Sequence, residues 1–262
     1  MQHISVNNCQ VSYKKKGKGK PVMLLHGFGE DHRIFNRLID QLSDDFLVIA
    51  PDIPGSGMSE FMKQLDSLSD IAEVLNKIVE TEGIEKFSLI GHSMGGYITL
   101  AYAEKYPDKL DKLGLFHSTA LADTEEKKAG RLKSIQFIEQ SGAERFLKEM
   151  IPDLFSKKTK EEKPELVKKT FEIYRNFNPD ALIQYYHLMI KRPERTKLLA
   201  EVNIPVLLIL GEEDNLIPLE KGLELAKLAK LTYIEIYKKS GHMGMLEEPE
   251  KTQEVVRDFL KT

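Results

Sequence analysis

A single cysteine, Cys9, is all the thiol chemistry these 262 residues offer. One thiol forms no intramolecular disulfide and builds no zinc–thiolate site, so the chain reads as made for a reducing compartment. Long apolar runs are missing as well. A membrane-spanning helix takes about 20 consecutive apolar residues, whereas runs such as Val206–Leu210 are the length of a strand. Met1-Gln2-His3-Ile4-Ser5 shows no basic start followed by an apolar stretch. A secretory signal is therefore not expected and a cytoplasmic location is. Nor does one sign of charge dominate: 38 Lys and Arg face 41 Asp and Glu, a formal net charge of −3. That balance argues against nucleic acid as the main partner. The partner to expect is a small molecule, with the protein acting as a monomer or homodimer.

Hydrophobic residues make up 41% of the chain and charged residues 30%, enough apolar surface for a full core and too much for a disordered chain. No internal repeat or long linker divides it. Ile4–Val6, Asn7-Asn8 and Cys9–Tyr13 read as a hairpin, because Asn tolerates left-handed turn positions. Lys14–Lys20 alternates lysine with glycine and reads as a solvated loop; no helix start or GK[ST] follows that would make it a phosphate cradle. Apolar runs then recur at Val22–Leu25, Phe46–Ala50, Phe87–Ile90, Leu113–Phe116, Val206–Leu210 and Tyr233–Tyr237. Helical patterning fills most of the gaps, as in Ile71, Leu75, Ile78 and Val79, one apolar stripe spaced at three and four. Continuous apolar strands alternating with amphipathic helices indicate an α/β fold with a mostly parallel sheet covered on both faces.

Residues 119–195 break that rhythm with Lys- and Glu-rich helical patterning and no convincing strand. The division expected is a core of 1–118 and 196–262 with a helical cap of 119–195. A helical insert between two parallel strands is a candidate lid over the carboxyl edge of the sheet, where such sheets bind ligands.

Gly91-His92-Ser93-Met94-Gly95 follows one strand and opens a helix. That is the setting of a G-x-S-x-G nucleophile elbow, whose tight turn demands small residues on either side of the serine. A hydroxyl needs a base to take its proton, and the base needs a partner to fix its tautomer. His242 follows the last strand and Asp214 follows Val206–Leu210, so serine, acid and histidine end three different strands in the chain order of that motif. His26-Gly27-Phe28-Gly29 ends the strand Val22–Leu25. The amides of Phe28 and Met94 are the natural donors to a developing oxyanion.

These residues carry a family resemblance. HGFG at 26–29, DIPGSGMS at 52–59, GHSMGG at 91–96, GEEDNLIP at 211–218 and SGHMGMLEEPE at 240–250 make the chain similar to capped, esterase-like serine hydrolases of the α/β-hydrolase fold. The resemblance spans nearly the whole chain. It implies an eight-stranded, mostly parallel sheet with the second strand antiparallel, flanked by helices, and a helical cap inserted after strand six. It implies Ser93 as nucleophile, Asp214 as acid, His242 as base and Phe28 and Met94 as oxyanion donors, with the 52–57 loop beside the pocket entrance. Haloalkane dehalogenases and epoxide hydrolases carry aspartate where this chain has Ser93, which sets them aside. Carbon–carbon bond hydrolases keep the serine but often place Asn where His92 stands.

The expected activity is cleavage of a carboxylic ester or thioester of a small to medium acyl group through an acyl-enzyme. No metal or organic cofactor is expected. The substrate pocket is expected to draw on His26, His92, Phe137, Phe146, Tyr174, Tyr186 and Met243, with His26 more a loop-holding residue than a second base. Two alternatives use the same residues: C–C hydrolysis of a vinylogous diketone, with Arg131, Arg145, Arg175, Arg192 or Arg195 holding its carboxylate, and a hydrolase-like binding protein with slow turnover.

Overall fold

Two asparagines set the first turn. In the computed structural model, which describes residues 1–262, Gln2–Val6 (β1) and Cys9–Lys16 (β2) pair antiparallel across Asn7 and Asn8. Both turn residues have positive φ, 50° and 63°. That turn matches the right-handed twist of its strands, and Asn tolerates it because its short side chain bonds locally.

Six further strands follow: Lys20–Leu25 (β3), Phe46–Pro51 (β4), Phe87–His92 (β5), Leu110–Phe116 (β6), Val206–Gly211 (β7) and Thr232–Tyr237 (β8). All eight join one sheet in the order β1-β2-β4-β3-β5-β6-β7-β8. Strand β2 runs antiparallel to both of its neighbours, and every other pairing beyond it is parallel. Every residue of β5 and β7 is buried, as a central strand covered on both faces requires, whereas only Tyr237 of the edge strand β8 is. The chain steps outward from β3 to β4, then returns past β3 to lay down β5. The sheet therefore has its switch point between β3 and β5, and the crevice at their carboxyl ends is where such sheets take ligands.

The helices are Asn36–Leu42 (α1), Leu68–Thr81 (α2), Met94–Lys105 (α3), Glu125–Ser141 (α4), Ala143–Asp153 (α5), Lys157–Glu162 (α6), Pro164–Tyr174 (α7), Pro179–Lys191 (α8), Thr196–Glu201 (α9), Leu219–Ala226 (α10), Gly244–Glu247 (α11) and Pro249–Lys261 (α12). The start of α2 is fixed by a capping box: the Ser67 side chain accepts from the Asp70 amide and Asp70 accepts from the Ser67 amide. Its buried face is the Ile71, Leu75, Ile78, Val79 stripe. Helix α3 differs in kind. It is buried from Met94 through Ala103, so its sequence is apolar all round and only its position after Ser93 marks its start.

Between β6 and β7 the chain is helical, α4 to α9. The 69 buried residues of the hydrophobic core form one cluster that runs from the sheet into this segment through Phe146, Leu147, Leu182 and Tyr185. The helices therefore have no separate core of their own. Polar ties add to the join: the Tyr185 hydroxyl donates to the Pro54 carbonyl at 2.8 Å, and the Gln184 amide to that of Met62 at 2.9 Å. No helix is long and apolar enough to cross a membrane.

Candidate active site

Ser93 sits at the join of β5 and α3 with φ 52° and ψ −117°. A non-glycine residue held there stores roughly 1–3 kcal/mol of backbone strain, which the surroundings must impose. They do so through hydrogen bonds from the Ser93 amide to the Phe116 carbonyl (2.9 Å) and from the Ser118 hydroxyl to the Ser93 carbonyl (2.7 Å). The flanking glycines are obligatory on steric grounds. A Cβ on Gly91 would collide with the Gly95 carbonyl, and one on Gly95 with the carbonyls of Leu25 and His26.

Asp214 and His242 meet from the ends of β7 and β8. Nδ1 of His242 donates to Oδ2 of Asp214 at 2.7 Å, while Oδ1 of Asp214 accepts the amides of Leu216 (2.8 Å) and Ile217 (3.0 Å). Burial disfavours the Asp214 charge, but His242 and the Ile217 amide outweigh it and bring the carboxyl from 3.8 down to about 2. It is therefore a fixed anion, and it leaves the proton on Nδ1 so that Nε2 faces away as an acceptor. That Nε2 is buried and has no hydrogen-bond partner within the protein. Ser93 and His242 line the same cavity, of about 420 Å³.

Main-chain ties fix the His242 loop. Its amide donates to the Leu154 carbonyl at 2.7 Å and its carbonyl accepts Nε2–H of His92 at 2.8 Å. The buried Glu247 carboxylate gathers the rest: Gly241 N–H at 2.9 Å, Met243 N–H at 3.3 Å and, from the helical segment, Ser156 N–H at 2.9 Å. Glu247 is not legible in the sequence, because a lone acid six residues from Gly241 matches no spacing template.

The Phe28 and Met94 amides have no acceptor in the protein. Met94 opens α3, and first-turn amides lack an intrahelical partner. Phe28 lies in a loop held on both sides. Glu30 accepts the Gly27 amide at 2.7 Å, and His26 gives Nδ1–H to the Gly27 carbonyl at 2.9 Å while its Nε2 accepts the Ile53 amide at 2.9 Å. Burial lowers the His26 pKa below 6.5. His26 is thus a neutral staple between two loops, and it does not border the cavity.

Tyr186, Phe28, Tyr97, Met150, Leu154 and Ile217 supply much of the cavity wall. The other residues expected there stand elsewhere. Phe146 packs edge-on behind Phe28 and Tyr186, and Phe137 packs on Phe146. Tyr174 lies under the Arg33 guanidinium, beside Asp31. His92 and Met243 are wholly buried beneath the site and do not border the cavity. The 52–57 loop lies against Tyr185, outside the cavity wall. Of the five arginines, Arg131 borders the cavity, Arg192 is buried against Asp123 and over the Tyr97 ring, and Arg195 pairs with Glu104. Arg145 and Arg175 face solvent.

Asp31, His32 and Asp52 converge closely enough to suggest a metal. The two carboxylates are already engaged: Asp52 accepts from His32 Nδ1 (2.7 Å), the His32 amide (3.0 Å) and the Met58 amide (2.9 Å), and Asp31 grips Arg33. The cluster knits loops together.

A sequence profile of the alpha/beta hydrolase fold matches residues 20–249, and the chain belongs to that family. It is similar to a 2-hydroxy-6-oxononadienedioate/2-hydroxy-6-oxononatrienedioate hydrolase of Paraburkholderia phymatum, 28% identical over 96% of this chain and 91% of the relative. Lipase 1 of Psychrobacter immobilis is 29% identical over 92% of this chain and 77% of its own. Among solved structures, a thermophilic esterase from Thermogutta terrifontis superposes with a TM-score of 0.94 at 28% identity, covering 100% of this chain and 98% of that one. The protein is an enzyme, a hydrolase of this fold.

Proposed function

We propose that the protein is a serine esterase in which Ser93, His242 and Asp214 form the catalytic triad. Ser93 Oγ attacks the ester carbonyl as His242 Nε2 takes its proton, and Asp214 stabilises the imidazolium through Nδ1–H. The amides of Phe28 and Met94 receive the oxyanion. Collapse of the tetrahedral intermediate returns the Nε2 proton to the departing alcohol and leaves an acyl-Ser93. Water, deprotonated by His242, then releases the acid and restores the hydroxyl.

The observation that carries this reading is the His242 imidazole, locked by Asp214 at 2.7 Å with its other nitrogen unpartnered, in the cavity that Ser93 also lines. The test is hydrolysis of 4-nitrophenyl esters from acetate to decanoate by the protein and its Ser93→Ala variant. The variant should fold and lose activity by about 10⁴-fold or more. Wild-type rates in the variant would remove Ser93 from the mechanism.

A second reading, C–C hydrolysis of a vinylogous diketone by the same triad, is favoured by the name of the Paraburkholderia relative and by Arg131 at the cavity. Ser93-dependent bleaching of such a diketone, faster than any ester in the series, would favour it.

A further inference from the structure

Helix α4 turns a polar face to the cavity. Lys127, Gly130, Arg131 and Ser134 recur at three and four residues, lie on one side of the helix, and all border the cavity. Lys127 is exposed and Arg131 half-buried, and a wall that only sheltered hydrocarbon would gain nothing from either cation.

The positive charge there is only partly offset. Arg131 donates through Nε (2.6 Å) and Nη2 (3.3 Å) to Asp123, leaving Nη1 uncommitted by that carboxylate. Asp123 is shared, since Arg192 Nη1 lies 2.8 Å from Oδ1, the oxygen that Arg131 Nη2 also meets. One carboxylate thus serves two guanidinium groups. Lys127 adds a further cation with no carboxylate in salt-bridge reach; its ammonium donates to the Leu216 carbonyl at 3.1 Å, across from α4 on the Asp214 loop.

Gly130 lies on the same face. A glycine inside a helix costs about 1 kcal/mol relative to alanine, and no atom lies within 4 Å of where its Cβ would stand. Gly130 is exposed and borders the cavity beside both cations, so it adds no side chain of its own there. On α5, Asp153 borders the cavity without a cationic partner, so an entering anion is drawn to α4 and repelled from α5.

We propose that Lys127 and Arg131 form an anion subsite, and that the ester cleaved at Ser93 carries a carboxylate remote from its scissile bond. The proposal rests on the serine esterase reading for the bond broken, and on the α4 face for the charge.

Two matched substrate pairs test it: mono-4-nitrophenyl adipate against 4-nitrophenyl hexanoate, and 4-acetoxybenzoate against phenyl acetate. The first pair places the carboxylate on the acyl side, the second on the leaving group. In at least one pair the anionic ester should be preferred in kcat/KM by about tenfold, as for one charge-assisted contact. That preference should shrink in high salt. Lys127→Met should bring the ratio towards one and Lys127→Glu should reverse it; because Arg131 is part of a buried ion pair, Arg131→Met serves only where it folds. Equal rates in both pairs, or a preference that survives Lys127→Glu, would overturn the subsite while leaving the esterase reading standing. If no ester is turned over, calorimetric titration of adipate into Ser93→Ala decides the subsite alone. Binding that Lys127→Glu abolishes supports it, and no heat with either protein overturns it.

Discussion

Nδ1 of His92 donates to the Glu30 carboxylate at 3.0 Å while Nε2 of the same ring donates to the His242 carbonyl at 2.8 Å. Both acceptors lack a proton to give, so His92 uses both nitrogens as donors and carries a positive charge. Burial alone would lower its pKa, but the Glu30 charge and hydrogen bond raise it above 6.5. Burial likewise opposes the Glu30 charge, and His92 together with the Gly27 amide holds its pKa below 4.5. A buried ion pair thus links the Phe28 loop to the backbone of His242.

The sign of its pH dependence follows. His92 contributes stability in full below 6.5 and loses it as pH rises through its raised folded value; Glu30 contributes in full above 4.5 and loses it as pH falls through its lowered one. The pair is whole between about 4.5 and 6.5 and fades on either side. Glu30→Gln should destabilise the protein by about 3–5 kcal/mol near pH 6, the cost of breaking a buried pair. Denaturant melts across pH should also show the decline above 6.5 flattened in the variant. An unchanged profile would mean that the two groups are not the ion pair described.

His117 lies 3.5 Å from the same Asp214 oxygen that His242 holds, yet neither of its nitrogens makes a hydrogen bond. Burial lowers its pKa well below 6.5, so it folds neutral. Below 6.5 the unfolded chain binds a proton there that the folded chain does not, and stability falls with falling pH. His117→Phe removes two unsatisfied polar atoms and should hold or raise Tm at pH 7. Below 6.5 it should reduce the slope of stability against pH by up to about 1.4 kcal/mol per unit. A hundredfold fall in kcat with KM unchanged would instead make His117 a positioning residue for Asp214.

Glu247→Gln replaces a carboxylate that collects amides from both Gly241 and Ser156 with a group that has one acceptor oxygen. Stability should fall by about 1–3 kcal/mol. Ester turnover should fall mainly in kcat, since the disturbed element is the loop that aims His242. A change confined to KM would count against that role.

Gly95→Ala tests the elbow without touching a reacting group. The new methyl meets the backbone carbonyls of Leu25 and His26, which cannot swing aside as a side chain would. A loss of about 1–3 kcal/mol in a urea melt is expected, with labelling of Ser93 by a fluorophosphonate slowed. Full stability and labelling would mean the turn is looser than its geometry.

What could be read in advance follows a physical divide. Strands such as Leu207–Ile209 are buried on both faces, so their identity is written in uninterrupted apolar runs. Ser93, Asp214 and His242 were singled out because each ends a strand and the fold gathers strand ends at one edge. The wall was not legible in the same way. Phe137, Phe146 and Tyr186 share a composition, and only Tyr186 borders the cavity, because which aromatic packs behind another depends on how helices cross. Lys127 and Arg131 looked like two more charges on a Lys- and Glu-rich helix. Asp123 is near them in sequence, but Arg192, which shares it, comes from the far end of α8. Glu30 meets His92 at the end of β5 and His117 lies beside Asp214 beyond β7, and no local pattern announces either residue.

The helical segment is fastened to the machinery it covers. His242 hangs its amide on the Leu154 carbonyl, and Ser156 shares the Glu247 carboxylate with Gly241. In the mechanism proposed above, displacing residues 154–156 would therefore carry the His242 loop with them and disturb the aim of the imidazole. Between α4 and the Asp214 loop, by contrast, the tie is the hydrogen bond from the long, flexible Lys127 side chain to the Leu216 carbonyl.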